Sequence, residues 1–143
     1  MNILVDTGFL YALFDESDPY HNKVIERGMV DFLEFGNIVL PHPILYETLN
    51  TRFVKRKEWC NIFNTYLSKG STVLVSDEVY KEKALSITMQ NAISGRRPMS
   101  LVDAVIRLML DDVNLNISAL ITFNVEDFVD VCMQKKIELI SDK

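Results

Sequence analysis

The apolar positions of this chain fall into short unbroken runs separated by longer stretches with helical spacing. Ile3-Leu4-Val5, Ile38-Val39-Leu40, Thr72-Val73-Leu74-Val75 and Ala119-Leu120-Ile121-Thr122 lack polar alternation, as strands covered on both faces do. Ile137-Glu138-Leu139-Ile140 has the pattern of an edge strand closing the series. Between these runs the spacing predicts helices over 9–14, 19–34, 44–67, 78–91 and 101–115, the third interrupted around Lys55-Arg56-Lys57-Glu58. Asp18-Pro19 suits a cap and first turn, and Gly36-Asn37 a stop. Pro41-His42-Pro43 forces the next helix to begin at Pro43 or Ile44, and Ser76-Asp77 caps the fourth. The 101–115 helix is almost wholly apolar and therefore expected to be buried. Ser94-Gly95-Arg96-Arg97-Pro98 before it is the clearest loop. Strands alternating with helices imply parallel pairing, hence a three-layer α/β/α fold around one mainly parallel sheet of four to five strands.

Composition narrows this picture. The 143 residues suit a single domain over 1–143, with a net charge of −5. That charge argues against a nucleic-acid binder working by charge alone, but not against an enzyme acting on nucleic acid through bound metal ions. Cys60 and Cys132 have no metal-type spacing and read as reduced thiols. There is no signal-peptide pattern and no apolar run of membrane-spanning length, so a cytoplasmic location without membrane contact is expected.

The candidate chemistry lies in carboxylates at strand ends and helix starts. Asp6 follows the first strand, where ligands bind in open α/β sheets, but it fits a helix cap equally well. Glu47 falls roughly opposite the wheel face formed by Leu45, Leu49 and Phe53, which favours a solvated side chain. Asp103 stands among apolar residues. Ser100 three positions earlier makes a shortened capping box, and Arg107 four positions later is a candidate ion-pair partner. Asn124 and Asp127 follow the fourth strand within one turn, as turn residues or as ligands. Several oxygen donors at one sheet edge repel one another unless a divalent cation is bound, and all-oxygen ligation favours Mg²⁺ or Mn²⁺. His21 and His42 lack ligand spacing, and the chain shows no phosphate loop, nucleophile elbow or Cys–His pattern. Metal-assisted phosphodiester hydrolysis is the chemistry left.

The order Val5-Asp6-Thr7, Leu45-Tyr46-Glu47, Ser100-Leu101-Val102-Asp103-Ala104 and Thr122-Phe123-Asn124-Val125-Glu126-Asp127-Phe128 resembles a PIN domain. It is most similar to the VapC-type toxin ribonucleases of prokaryotic toxin–antitoxin pairs, over essentially the whole chain. Asp18-Pro19-Tyr20-His21 also resembles the start of that family's second helix. The resemblance implies a Mg²⁺-dependent endoribonuclease with an acidic pocket at the carboxyl edge of the sheet. Asp6, Glu47 and Asp103 match the family's main acidic positions and would hold the metal. Asn124 and Asp127 match a further pair, positioning a second ion or the attacking water, with Thr7 and Thr122 orienting carboxylates. Gly8, where Ser or Asn is frequent, and the neutral Asn124 depart from the pattern. RNA as substrate, a small antitoxin protein and a homodimer are the partners implied. Arg52, Lys55, Arg56 and Lys57, together with Arg96 and Arg97, are the cations that could meet a substrate, although most suit ordinary solvated surface. A catalytically weak PIN-like scaffold binding RNA or a protein is the alternative. A phosphotransferase with Asp6 as nucleophile ranks last, because Gly8 stands where such enzymes commonly carry a second Asp.

Overall fold

Ile3, Leu4 and Val5 have no solvent exposure at all, and they form the middle strand of the sheet. The computed structural model describes residues 1–142. Strand β1 (Asn2–Val5) pairs in parallel with β2 (Asn37–Pro41) on one side and with β4 (Ala119–Ile121) on the other. Beyond them lie β3 (Thr72–Val75) and β5 (Glu138–Ile140), giving the all-parallel order β3-β2-β1-β4-β5. Leu4 stands level with Val39 and Leu120, so three buried side chains form a row across the sheet. The three inner runs, β1, β2 and β4, are strands covered on both faces. The 137–140 run is the expected edge strand, whereas β3 at the other edge leaves Val73 and Leu74 50% and 49% exposed.

The connections are helical and flank the sheet in a three-layer α/β/α arrangement. They are α1 (Thr7–Phe14), α2 (His21–Glu26), α3 (Val30–Phe35), α4 (His42–Thr48), α5 (Thr51–Val54), α6 (Lys57–Leu67), α7 (Lys81–Ile93), α8 (Leu101–Asp111) and α9 (Val129–Lys135). Short 3-10 turns cover Val113–Leu115 and Val125–Asp127. Phe53 joins α1, α5 and α6: its ring meets Phe14, Phe63, Trp59 and Tyr11 at centroid distances of 5.3, 5.7, 5.4 and 5.9 Å. Aromatic pairs at these separations add to area burial, and Phe53 is fully enclosed.

Four helix expectations need correction, each for a local reason. The 19–34 helix is two helices, because Gly28 takes a left-handed φ of 62° and ends α2. The Gly28 N–H donates to the Ile25 carbonyl and the Met29 N–H to that of Val24, the pair of bonds that closes a Schellman turn. The 44–67 helix is three pieces. Asn50 Oδ1 accepts from the Phe53 N–H at 3.1 Å while its Nδ2 donates to the Glu47 carbonyl, so one side chain ends α4 and starts α5. The helix expected over 78–91 begins at Lys81, after a turn in which Ser76 Oγ accepts from the Glu78 N–H. The helix expected to run to Leu115 stops at Asp111. Asp112 Oδ1 accepts from the Asn114 N–H and its Oδ2 from the Tyr80 hydroxyl, which fixes the chain in a 3-10 turn instead. Nor is α8 buried all round: Leu101 is exposed while Ala104, Val105, Ile106, Met109 and Leu110 face the core.

Candidate active site

The chain starts in the centre of the sheet, builds β2 and β3 to one side, and returns to build β4 and β5 on the other. The carboxyl ends of β1 and β4 therefore flank a topological switch point, where connections diverge and leave a crevice. Asp6 leaves β1 there, and Thr122, Asn124 and Asp127 leave β4.

Asp6 is both a cap and a member of this cluster. Its Oδ1 accepts from the Thr7 N–H at 2.8 Å, capping α1, and its Oδ2 accepts from the Thr122 hydroxyl at 2.8 Å. Burial raises its pKa; the Thr122 and Thr7 hydrogen bonds offset part of that, and the Asp127 charge raises it further. Asp103 sits in the first turn of α8, whose start is capped by Ser100 Oγ accepting from the Asp103 N–H at 3.1 Å. Its carboxyl is pushed up to about 7, first by burial, then by the Asp6 charge and by the adjoining Asp127 carboxyl. Asn124 Nδ2 donates to Asp127 Oδ2, and at 3.3 Å to Asp103 Oδ2, so one amide spans two carboxylates. Its backbone N–H donates to the Thr122 hydroxyl at 3.0 Å. Thr122 is thus fixed from two directions.

Glu47 stands apart. It is exposed, and its Oε1 accepts from the Thr7 hydroxyl at 2.8 Å, so it meets the cluster through the first residue of α1. That exposure is what the helical wheel expects, although the apolar face it used is not the one that packs, because α4 ends before Leu49. The buried positions of α4 are Pro43, Ile44 and Thr48, and Glu47 lies one turn from Ile44. Leu49 is exposed and Phe53 belongs to the next helix. The pair expected between Asp103 and Arg107 also does not form. Arg107 donates instead to both Asp130 oxygens, at 2.6 and 2.8 Å, and to the Asp127 carbonyl at 2.8 Å.

Two features escaped the sequence. Arg97, in the loop before α8, places a guanidinium nitrogen 2.7 Å from Asp127 Oδ1 and 3.4 Å from Glu126. Only its place in a loop ahead of an acidic motif hinted at this. Tyr20 stacks on Phe123 with centroids 4.3 Å apart and planes 9° from parallel, at the end of β4. Gly8 lies under that ring: a Cβ there would touch Phe123 at 4.0 Å.

Among the described residues no three His, Cys, Asp or Glu side chains close on one point as a finished metal cage. The donor chemistry nevertheless fits a hard divalent cation. Asp6, Asp103 and Asp127 supply oxygen only, and burial and mutual repulsion make two of them hard to ionise without a cation. Asp127 Oδ1 is buried and makes no hydrogen bond, although an Arg97 guanidinium nitrogen lies 2.7 Å from it. That oxygen remains able to take a cation.

No protein-family model matches the chain, and the comparison with curated proteins returns no match either. Among solved structures, the chain is similar to VapC20 from Mycobacterium tuberculosis, a toxin that cleaves the sarcin-ricin loop. The TM-score is 0.67 at 18% identity, over 90% of this chain and 94% of that one. The strand order, the switch point and this likeness agree on the architecture: the chain has a VapC-like PIN fold.

Proposed function

We propose that this chain is a divalent-metal-dependent endoribonuclease of the toxin–antitoxin type, with Asp6, Asp103 and Asp127 at its centre. The observation that carries the reading is the cluster itself: three carboxyl groups at the switch point, one pushed up to about 7 by burial and then by its neighbours. Asp6 and Asp103 would hold Mg²⁺ or Mn²⁺, with Glu47 completing or orienting the set. What the ion supplies there is Lewis-acid charge at a phosphodiester and water made more acidic. The chain's own groups do the rest. Thr122 and the Thr7 N–H fix both oxygens of Asp6, so that carboxylate is oriented before substrate arrives. The Asn124 amide keeps Asp103 and Asp127 together and would position the attacking water or a second ion. Burial and the neighbouring carboxylates make Asp103 reluctant to ionise alone, and a divalent cation held there would offset that cost.

A small antitoxin-like protein and a homodimer belong to the same reading. Exposed Ile25 and Phe35, on α2 and α3, offer apolar surface for a second chain. The competing reading, a weakly catalytic scaffold, draws on the exposure of Glu47, which is held by the Thr7 hydroxyl, and on the neutral Asn124. Cleavage of a structured RNA pool with Mg²⁺ or Mn²⁺, and with EDTA, separates the two. Metal-dependent cutting lost in Asp6→Asn and Asp103→Asn establishes the nuclease. Equal cutting by wild type and variants, or none by any, removes it.

A further inference from the structure

A cleft of about 550 Å³ opens between α7, α8, α9 and the loop ahead of α8, and Asp127 and Arg97 form its border with the carboxylate cluster. Its size matches that of small-ligand sites, which run from about 300 to 1,000 Å³. Ile87, Met99, Leu108 and Val131 give it an apolar lining. Its polar groups can be followed one at a time. Arg107 is committed to Asp130 and the Asp127 carbonyl, and Asp111 is neutralised from outside the cleft by Lys135 at 3.2 Å. Arg97 is committed to Asp127 and Glu126. Lys83 and Arg96 remain, both exposed, and among the described residues neither has a carboxylate partner.

The cleft thus holds an apolar wall beside two uncommitted cations, in a chain of net charge −5, and it runs up to the carboxylates. The other basic stretch is arranged differently. Arg52 is paired with Asp15, and Arg56 lies over the Trp59 ring at 4.3 Å. Lys55 and Lys57 stand on the open surface beside them.

We propose that this cleft is a nucleotide subsite for single-stranded RNA, taking the nucleoside next to the phosphate held at the carboxylates. The base and ribose lie against Met99, Leu108 and Ile87, and Lys83 and Arg96 meet the neighbouring phosphate. The proposal rests on the nuclease reading for its substrate. It adds which side of the cluster the strand occupies and which cations hold it. Apolar contact tolerates any base, so the subsite contributes affinity more than sequence choice.

The test is fluorescence anisotropy of a labelled short single-stranded RNA on the full chain in EDTA, where no metal-dependent cutting intervenes. Wild type is compared with Lys83→Ala/Arg96→Ala and with Lys55→Ala/Lys57→Ala, all at exposed positions that leave the core intact. The cleft variant should bind about 5- to 10-fold more weakly at low salt, with a shallower salt slope by about one to two phosphate contacts. The surface variant should stay within about twofold of wild type. Unchanged binding in the cleft variant, a loss confined to the surface variant, or no wild-type binding overturns the subsite. RNA cutting is assayed separately with Mg²⁺. Cutting with unchanged cleft-variant binding sinks the subsite alone; weakened cleft-variant binding without wild-type cutting sinks the nuclease reading alone.

Discussion

Helix α1 carries a buried aspartate at each end, Asp6 at its start and Asp15 at its finish, 9% and 8% exposed. Asp15 accepts from the Ser17 hydroxyl at 2.6 Å and the Ser17 N–H at 2.9 Å, and it pairs with Arg52. Those partners hold its carboxyl below the usual range, the Ser17 hydroxyl contributing most. Asp6 has two donors, no cation, and other carboxylates for neighbours, and its pKa moves the opposite way. The two side chains are similarly shielded, yet burial leads only at Asp6; at Asp15 the Ser17 hydrogen bonds and Arg52 outweigh it. A carboxylate whose charge is answered within the fold is a structural part; one left unanswered beside others of its kind is poised for a cation.

The largest effect that could break this comparison is on rate. Asp6→Asn should lower RNA cleavage by about 100-fold or more while keeping the fold, since charge at the reacting centre is what metal-assisted hydrolysis uses. Asp15→Asn should leave the rate within about threefold, as its carboxylate is remote from the reacting group. Equal losses in initial-rate assays would erase the distinction. On stability the order reverses. Asp15→Ala should cost about 1–2 kcal/mol in urea unfolding at neutral pH, the worth of hydrogen bonds to a charge beside a mostly exposed arginine. Because its pKa is lowered in the fold, this contribution is present above about pH 4 and fades as pH falls through the lowered value.

Asp103 sharpens the contrast with the sign inverted. Its folded pKa of about 7 exceeds the unfolded value, so the native state binds more protons between about pH 4 and 7. Stability from this group therefore falls as pH rises through that window and levels off above it. Asp103→Asn should reduce that slope, leaving the share of Asp6, and gain about 1–2 kcal/mol near pH 8, a figure reduced for partial solvent screening. Urea midpoints against pH measure it, and a slope undiminished by the substitution would contradict the assignment. The smallest effect belongs to Arg97. Arg97→Ala removes a half-exposed cation beside Asp127 and should cost under about 1 kcal/mol. The same change should tighten Mn²⁺ binding about two- to fivefold in titration calorimetry, since a competing positive charge is gone. Weaker Mn²⁺ binding would mean that Arg97 supports the ion instead of competing with it.

The strands were legible because each is a short apolar run closed by a polar or breaking residue, Ile3-Leu4-Val5 before Asp6 being the plainest. Helix breaks were less so. Gly28 was an overlooked stop, and Asn50 broke a wheel that periodicity carried across it, so Leu49 and Phe53 were assigned to a face α4 does not have, while Glu47 is exposed as the wheel expected. Proximity at the site was readable only in part. Asp6, Asp103, Asn124 and Asp127 do meet, but spacing alone does not give a strand order; the family resemblance supplied what periodicity lacked. The Arg97–Asp127 contact and the switch of Arg107 from Asp103 to Asp130 depend on how a loop and α9 fall across α8, which no local pattern encodes.

The hydrogen bond between Thr122 and Asp6 joins residues 116 positions apart. Until β4 docks on β1, the middle strand has an open edge, and Asp6 has neither the hydroxyl that orients it nor the Asn124–Asp127 turn beside it. Long-range pairing of this kind is completed late, after loop closure over most of the chain. During synthesis, everything up to α8 can emerge and collapse while the cluster is still unassembled, because domains settle as units once their last elements arrive. The order of the strands therefore acts as a timer. A chain grown only as far as α8 holds Asp6 and Asp103 without the groups that orient and adjoin them.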